Sequence, residues 1–443
     1  MSSITPAVVP SAAEQGYKPF RWFILVTLVV VTTSQFIALI APAPLVPVIA
    51  QSGFALNNMG LITLMTMGIW NFVVAVAAIF GGGLIDKVGF IPLYIIGLAL
   101  FMVAELLMPV MGTSVAGVMI LRTIQALGGG PIMAAGAYVA ANYFPQKERT
   151  IVTGMFSFSA SAGISLGLLL IGMNVNSVGG TDWQKMWFWM WPVNLVGIVM
   201  TLVVLFGPKC RVVPPVAVID GEKAKSNAAL LGSALRQPVT WIIILCCVAA
   251  SWFYQAFNDM TPGFLAANPP VGLGLGAAGT QAIQIAGFGG MAGALLVGFI
   301  VEYVFHRKVR LPLMIAFAVM ALGSLSLLAQ NVTDHAATMT IILTIVVFAF
   351  SFTNPSVFGY IANHYPGEIT GKLGGFAQGI GVFGGLAGVA AGGTALAITG
   401  FYHVSTMIMA GVCVLGLIFA LFIREKKNEQ VIQTGVTIET GTV

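Results

Sequence analysis

Twelve apolar runs, each long enough to cross a bilayer as a helix, dominate this sequence of 443 residues. They lie near 22–50, 58–81, 90–112, 115–141, 150–173, 187–207, 240–258, 277–301, 311–330, 337–362, 372–399 and 403–423. In hydrocarbon every backbone N–H and C=O must be satisfied inside the span, so runs of this kind form helices. The expected fold class is an all-α membrane protein with twelve transmembrane helices, and the lipid bilayer is its first partner. Composition narrows the functions. Only 7% of residues are charged, against roughly 25% in a soluble domain. That excludes a cytosolic enzyme and any nucleic-acid partner, and a hydrophobic content of 58% excludes a disordered chain.

Basic residues orient the spans. With both termini in the cytoplasm, all of the 19 lysines and arginines except Lys185 and Arg122 fall on the cytoplasmic side. Lys185 falls outside and Arg122 inside a span, so the positive-inside rule selects this topology. The expected organisation is a cytoplasmic tail at 1–21, a six-helix bundle at 22–207, a polar cytoplasmic loop at 208–239, a second six-helix bundle at 240–423 and a tail at 424–443. Residues 1–20 hold no apolar core of a signal peptide. The four cysteines, Cys210, Cys246, Cys247 and Cys413, predict neither a disulfide framework nor a metal site. No cofactor motif is present, neither a phosphate loop nor a zinc-protease or serine-hydrolase signature.

The halves repeat at an offset of 221 residues: Asn142, Pro145 and Gly154 map onto Asn363, Pro366 and Gly375, and Gly163 and Gly167 onto Gly384 and Gly388. Two parallel six-span halves predict a ligand site between them near mid-membrane.

Between spans two and three stands GGGLIDKVGF, with Gly82, Asp86, Lys87 and Gly89 in fixed spacing. This resembles the signature loop of the major facilitator superfamily, although Phe90 and Ile91 replace the usual basic pair. Gly298 and Glu302, followed by Arg307 and Lys308, form a worn second copy. RTIQALGGG in span four, with Arg122, Gln125, Gly128 and Gly130, is similar to the family's second motif. The resemblance covers nearly the whole chain and implies a secondary transporter working by alternating access. It also implies that Asp86 faces the amide-rich start of span eleven, beside Lys372, and that Glu302 faces the start of span five near Arg149. Together these residues would latch the halves. Span five carries Gly154-x8-Gly163-x3-Gly167, similar to a glycine pattern of the family's drug–proton antiporters. Ile164 stands where those carry proline, so the pattern reads as close helix packing.

Two charges lie well inside the apolar runs, Glu105 in span three and Arg122 in span four. Each is costly there unless partnered. Both sit about 13 Å from the hairpin turn at the helical rise, so an ion pair is expected at equal depth. Glu105 and Arg122 are the candidate coupling residues. Gln35, Arg122, Gln125, Tyr254, Gln255 and Asn354 are the candidate substrate-binding residues, and Asn71, Asn258, Gln281, Gln284 and Gln378 are further uncharged polar candidates. Asn354-Pro355 is expected to kink span ten. Trp183, Trp187, Trp189 and Trp191 are expected at the membrane–water interface. The expected function is transport of a small solute, proton-coupled symport of an organic anion first, with H+ as second ligand and a monomer in the cell membrane. The alternatives are proton-coupled efflux of hydrophobic compounds and a membrane sensor on the same fold.

Overall fold

The computed structural model describes residues 19–42, 45, 49, 62, 64–175, 182–208, 220–266, 269–329 and 336–423. Most of both tails, the segment 209–219, Cys210 and the outer end of span one fall outside these residues. In the N-terminal half, α1 spans Arg21–Ile40, α2 Ile69–Val88, α3 Phe90–Met111, α4 Val115–Tyr143, α5 Arg149–Val175, α6 Trp183–Phe188 and α7 Trp191–Phe206. In the C-terminal half, α8 spans Asp220–Arg236, α9 Pro238–Ala266, α10 Gly276–Phe299, α11 Arg310–Ser326, α12 Ala336–Phe350, α13 Thr353–His364, α14 Thr370–Thr399 and α15 Tyr402–Leu421. Among the described residues, 11 helical stretches are long and apolar enough to cross a membrane, and Arg310–Ser326 is a shorter apolar helix. The molecule is a pair of six-helix bundles.

Local chemistry sets several helix ends. Ser114 caps α4 by accepting from the Gly117 N–H at 3.1 Å. Gly89 joins α2 to α3 at φ 83°, a conformation that strongly favours glycine. The helical path differs from expectation in two places, at the start of α2 and in the central segment, and breaks near the kink expected in span ten. A π-helical turn at Leu64–Gly68 leads into α2, which runs on to Val88, so Asp86 and Lys87 occupy its last turn rather than a loop. Span ten is interrupted at Ser351–Phe352, just before Pro355, and continues as α13. The central segment 208–239 contains the polar helix α8.

Each half has its own core. Leu28, Trp70, Tyr94, Phe101 and Tyr138 anchor the first; Phe253, Phe257, Phe264, Phe317 and Phe358 anchor the second. Phe80, Phe206, Leu322 and Ile398 are exposed, as suits side chains that face lipid. The halves meet most extensively along two helix pairs, α2 with α14 and α5 with α10. Glycine makes both approaches close. A Cβ on Gly375 would lie 2.8 Å from the Cα of Gly82, and one on Gly154 would lie 2.8 Å from the Cα of Gly298. Gly154 and Gly375 are equivalent in the repeat, so each half contributes the same packing position to its crossing.

Candidate functional site

A cavity of about 110 Å³ lies between the halves. From the N-terminal half it is lined by Phe36 of α1, Asn71 of α2, and Ser157 and Ser161 of α5; from the C-terminal half by Ser251, Tyr254 and Gln255 of α9, Asn354 of α13 and Gln378 of α14. Tyr254 stacks on Phe350, another wall residue, with ring centroids 4.5 Å apart. Among the described residues no aspartate, glutamate, lysine or arginine lines the cavity. Of the expected substrate-binding residues, Tyr254, Gln255 and Asn354 lie on the wall of this cavity. The wall serines are not among the expected residues. Their signal is weak, because a serine in a span equally often bonds a carbonyl one turn back, as Ser157 does to Thr153 at 3.2 Å.

Gln35, Arg122 and Gln125 are not on that wall. All three are fully buried inside the N-terminal bundle. Arg122 donates to the Thr66 carbonyl at 2.6 Å, the Ala38 carbonyl at 2.8 Å and the Leu39 carbonyl at 3.1 Å. It also donates to Oε1 of Gln125 at 2.9 Å. Its guanidinium carbon lies 4.3 Å from the Trp70 ring centroid and 5.2 Å from that of Trp187. The arginine thus clamps the backbone of α1 from behind the cavity. Gln35 packs beside Gly129, and neither polar atom of its amide is hydrogen-bonded among the described residues.

The expected Glu105–Arg122 ion pair does not form. Oε2 of Glu105 accepts from Nδ2 of Asn194 on α7 at 2.6 Å, and Oδ1 of Asn194 accepts from the Ser34 hydroxyl on α1. Equal depth fixes the height of two side chains, not the rotation of their helices, and Asn194 occupies the azimuth that Arg122 was expected to fill. The tryptophan expectation is corrected in the same region. Trp183 and Trp187 are buried at 1% and 0% exposure while Trp189 is 70% exposed. The separate short helix α6 folds the first two inward, and the arginine face explains Trp187.

At the end of the molecule that carries Asp86, the halves are joined by polar contacts. Asp86 accepts from the N–H groups of Gly371 at 2.9 Å and Lys372 at 2.7 Å, at the start of α14. Lys372 takes part through its backbone N–H, and its ammonium adds a longer-range attraction to Asp86 without a close ion pair. Lys87 is exposed. Arg149 donates across the halves to the Ala362 carbonyl at 2.6 Å. Two repeat-related asparagines also cross: Asn142 to the Gly367 carbonyl at 3.2 Å and Asn363 to the Thr150 hydroxyl at 3.4 Å. Glu302 does face the start of α5, where its carboxylate meets the Thr150 hydroxyl, but its ion-pair partner is not Arg149. Its Oε1 accepts from Nε of Arg307 at 2.7 Å. His306 and Arg307 have positive φ, and the chain turns back there, which brings Arg307 onto the acid.

The sequence matches the model of the Major Facilitator Superfamily over residues 24–389. Among curated proteins, the tetracenomycin C resistance and export protein of Streptomyces glaucescens is 27% identical over 194 residues, 44% of this chain and 33% of that protein. The methylenomycin A resistance protein of Bacillus subtilis (strain 168) is 30% identical over 122 residues, 27% of this chain and 25% of that protein. The chain thus spans a third or less of these two relatives. Among solved structures, the proton:xylose symporter XylE bound to 6-bromo-6-deoxy-D-glucose superposes with a TM-score of 0.71 at 15% identity, covering 93% of this chain and 98% of that one. The E. coli fucose:proton symporter FucP gives 0.69 at 15% identity, covering 92% and 100%. At that identity the likeness is one of fold.

Proposed function

The chain belongs to the major facilitator superfamily, and from that premise we propose that it is a secondary active transporter of a small neutral solute, coupled to protons and working by alternating access. The observation that carries the substrate class is the uncharged cavity. Asn71, Gln255, Asn354 and Gln378 offer amides, and Ser157, Ser161 and Ser251 offer hydroxyls. Amides and hydroxyls donate and accept, so they bind a solute carrying both kinds of group. The stacked Tyr254 and Phe350 add a flat apolar surface for a ring face. The organic-anion reading rested on Arg122, whose four hydrogen bonds run to Thr66, Ala38, Leu39 and Gln125. That leaves it no role as a counter-ion in the cavity.

Asp86, Gly82 and Gly375 on one crossing, and Gly154 and Gly298 on the other, hold one end shut. Both termini lie on the cytoplasmic side by the distribution of lysine and arginine, so this is the cytoplasmic gate in its closed state. Gly89 supplies the turn after α2, and Lys87 anchors topology. The protein works as a monomer in the cell membrane, since the cavity is complete within one chain.

Efflux is the second reading. Leu39, Met133, Ile164 and Val382 make the rest of the wall apolar, as an amphipathic compound requires, and two relatives are named for antibiotic resistance. The test is a thermal-shift screen of the purified protein against neutral sugars, neutral aromatic compounds and organic acids, followed by flux of the stabilising compounds in proteoliposomes. Neutral compounds are expected to stabilise and to move. Flux confined to carboxylates would overturn the substrate class, and binding without flux would return the sensor reading.

A further inference from the structure

Glu105 serves neither the cavity nor the gate, yet it is the one acid buried at 0% exposure among the described residues. One carboxylate oxygen takes a single bond, from Asn194 at 2.6 Å. The other, Oε1, has no hydrogen-bond partner among the described residues. A carboxylate held in a bilayer with one neutral donor and no ion pair favours uptake of a proton. The charge that acts on it is Arg122 of α4, whose N–H groups are turned to carbonyls and Gln125. The other elements packed against α3 supply no counter-ion. α7 carries no titratable residue. On α6, Lys185 is exposed and paired with Asp182; on α1, Arg21 is paired with Glu148; on α2, Asp86 and Lys87 lie in the last turn.

We propose that Glu105 is the proton-binding group of this transporter, and that Asn194 and Ser34 relay its protonation to α1. This deepens the proton-coupled reading above and rests on it. With Glu105 ionised, Asn194 donates to it through Nδ2 and accepts the Ser34 O–H through Oδ1, as the structure shows. When water delivers a proton, the only bond formed is the carboxyl O–H, which makes Glu105 a donor. The Asn194 amide then turns over: Oδ1 accepts from the carboxyl, and Nδ2 donates to the Ser34 oxygen. Ser34 changes from donor to acceptor, and its own O–H returns to a carbonyl of α1 one turn back. Phe36, two residues further along α1, lines the cavity. Proton occupancy on α3 thereby reaches the ligand wall through α7 and α1, the three helices that carry these side chains. Asn194 and Ser34 are positioning residues; Glu105 is the group that binds.

The proton alone serves as probe. Infrared difference spectra of the purified full chain, stepped in pH, read the C=O band of a protonated carboxyl. A Cys210→Ser, Phe36→Cys background reads α1 through the labelling rate of the introduced thiol, divided by its thiolate fraction at each pH, since Cys246, Cys247 and Cys413 are buried. The titrating band is expected to vanish in Glu105→Gln, and the labelling rate to lose its pH dependence. In Asn194→Ala the band is expected to persist, moved to higher pH because the ionised form has lost its donor, while labelling no longer follows it. Ser34→Ala is expected to keep the band near the parent midpoint and to reduce the pH response of labelling at least threefold. Thermal melting checks that each variant is folded. A band that survives Glu105→Gln overturns the assignment of the proton site. Labelling that tracks pH in Asn194→Ala as in the parent overturns the relay. Neither measurement needs a substrate, so a failure of the transport reading shows separately, as absence of flux in proteoliposomes.

Discussion

Asp86 and Gly371, one at the end of α2 and the other at the start of α14, are joined across the two halves by a hydrogen bond of 2.9 Å from amide to carboxylate. The second oxygen of the same carboxylate takes the Lys372 N–H at 2.7 Å. The negative charge thus sits on the positive end of a helix dipole. Hydrogen bonds to a charged group contribute roughly 1.5–3 kcal/mol each. Asp86→Asn keeps one acceptor and turns an NH2 toward the other N–H, so the closed gate is expected to lose more than tenfold in population. Transport should fall by at least that factor with normal membrane yield. Uptake in proteoliposomes and thiol accessibility at that end check it; full activity would remove the latch role.

The glycine crossings lead to a prediction of opposite character, in which nothing polar changes. Gly154→Ala places a methyl group 2.8 Å from the Cα of Gly298. The contact is backbone on both sides, so no side chain can give way and the helices must separate. The variant is expected to insert and fold but to hold the gate ajar. Cross-linking between cysteines introduced on α5 and α10 should fall severalfold, and Gly375→Ala should act alike on the other crossing.

Arg122 is expected to behave as a structural group. Removing one partner of a buried charged network costs about 3–5 kcal/mol. Arg122→Gln should therefore lower the melting temperature strongly, and Arg122→Lys should recover only part of it, because lysine lacks the planar fork that reaches three carbonyls and Gln125. Substrate charge preference is expected to stay the same in whatever fraction folds. A change from anionic to neutral preference, at unaltered melting temperature, would return this residue to the binding site.

On the cavity wall, Tyr254→Phe keeps the ring stacked on Phe350 and loses only the hydroxyl, whereas Tyr254→Ala loses the surface. Aromatic pairing adds about 0.5–1.5 kcal/mol beyond burial. Ligand affinity is expected to fall by three- to tenfold more in the alanine variant than in the phenylalanine variant. Asn354→Ala should weaken binding by a similar factor through a lost amide. Isothermal titration with the stabilising neutral compound measures all three.

The spans, the half-repeat and the cavity residues of α9 and α13 were legible because they depend on hydropathy and on spacing along one chain. What failed were statements that required helix rotation. Glu105 and Arg122 lie at one depth but answer to different neighbours, and Asn194, the neighbour that matters, sits in a run of apolar residues with no periodic mark. Trp187 was read as interfacial because the break that creates α6 is marked only by Pro192, which opens α7 and cannot bond the carbonyl of Phe188, the last residue of α6. Glu302 was placed by symmetry at the start of span five, where Thr150 meets it, but a local reversal at His306 and Arg307 supplied a closer cation than Arg149. Asn142 and Asn363 were visible as a repeated pair, but only the packed halves show that each reaches into the opposite bundle.

The burial of Arg122 has an electrical consequence. It leaves the interior of one bundle neutral when Glu105 is ionised and singly positive when Glu105 holds a proton. A membrane potential exerts about 2.3 kcal/mol per unit charge per 100 mV over the full bilayer. Rocking that carries the bundle's centre through a tenth of the field is then biased by about 0.2 kcal/mol per 100 mV in the protonated form, and not at all in the ionised form. Voltage would act on the loaded stroke alone.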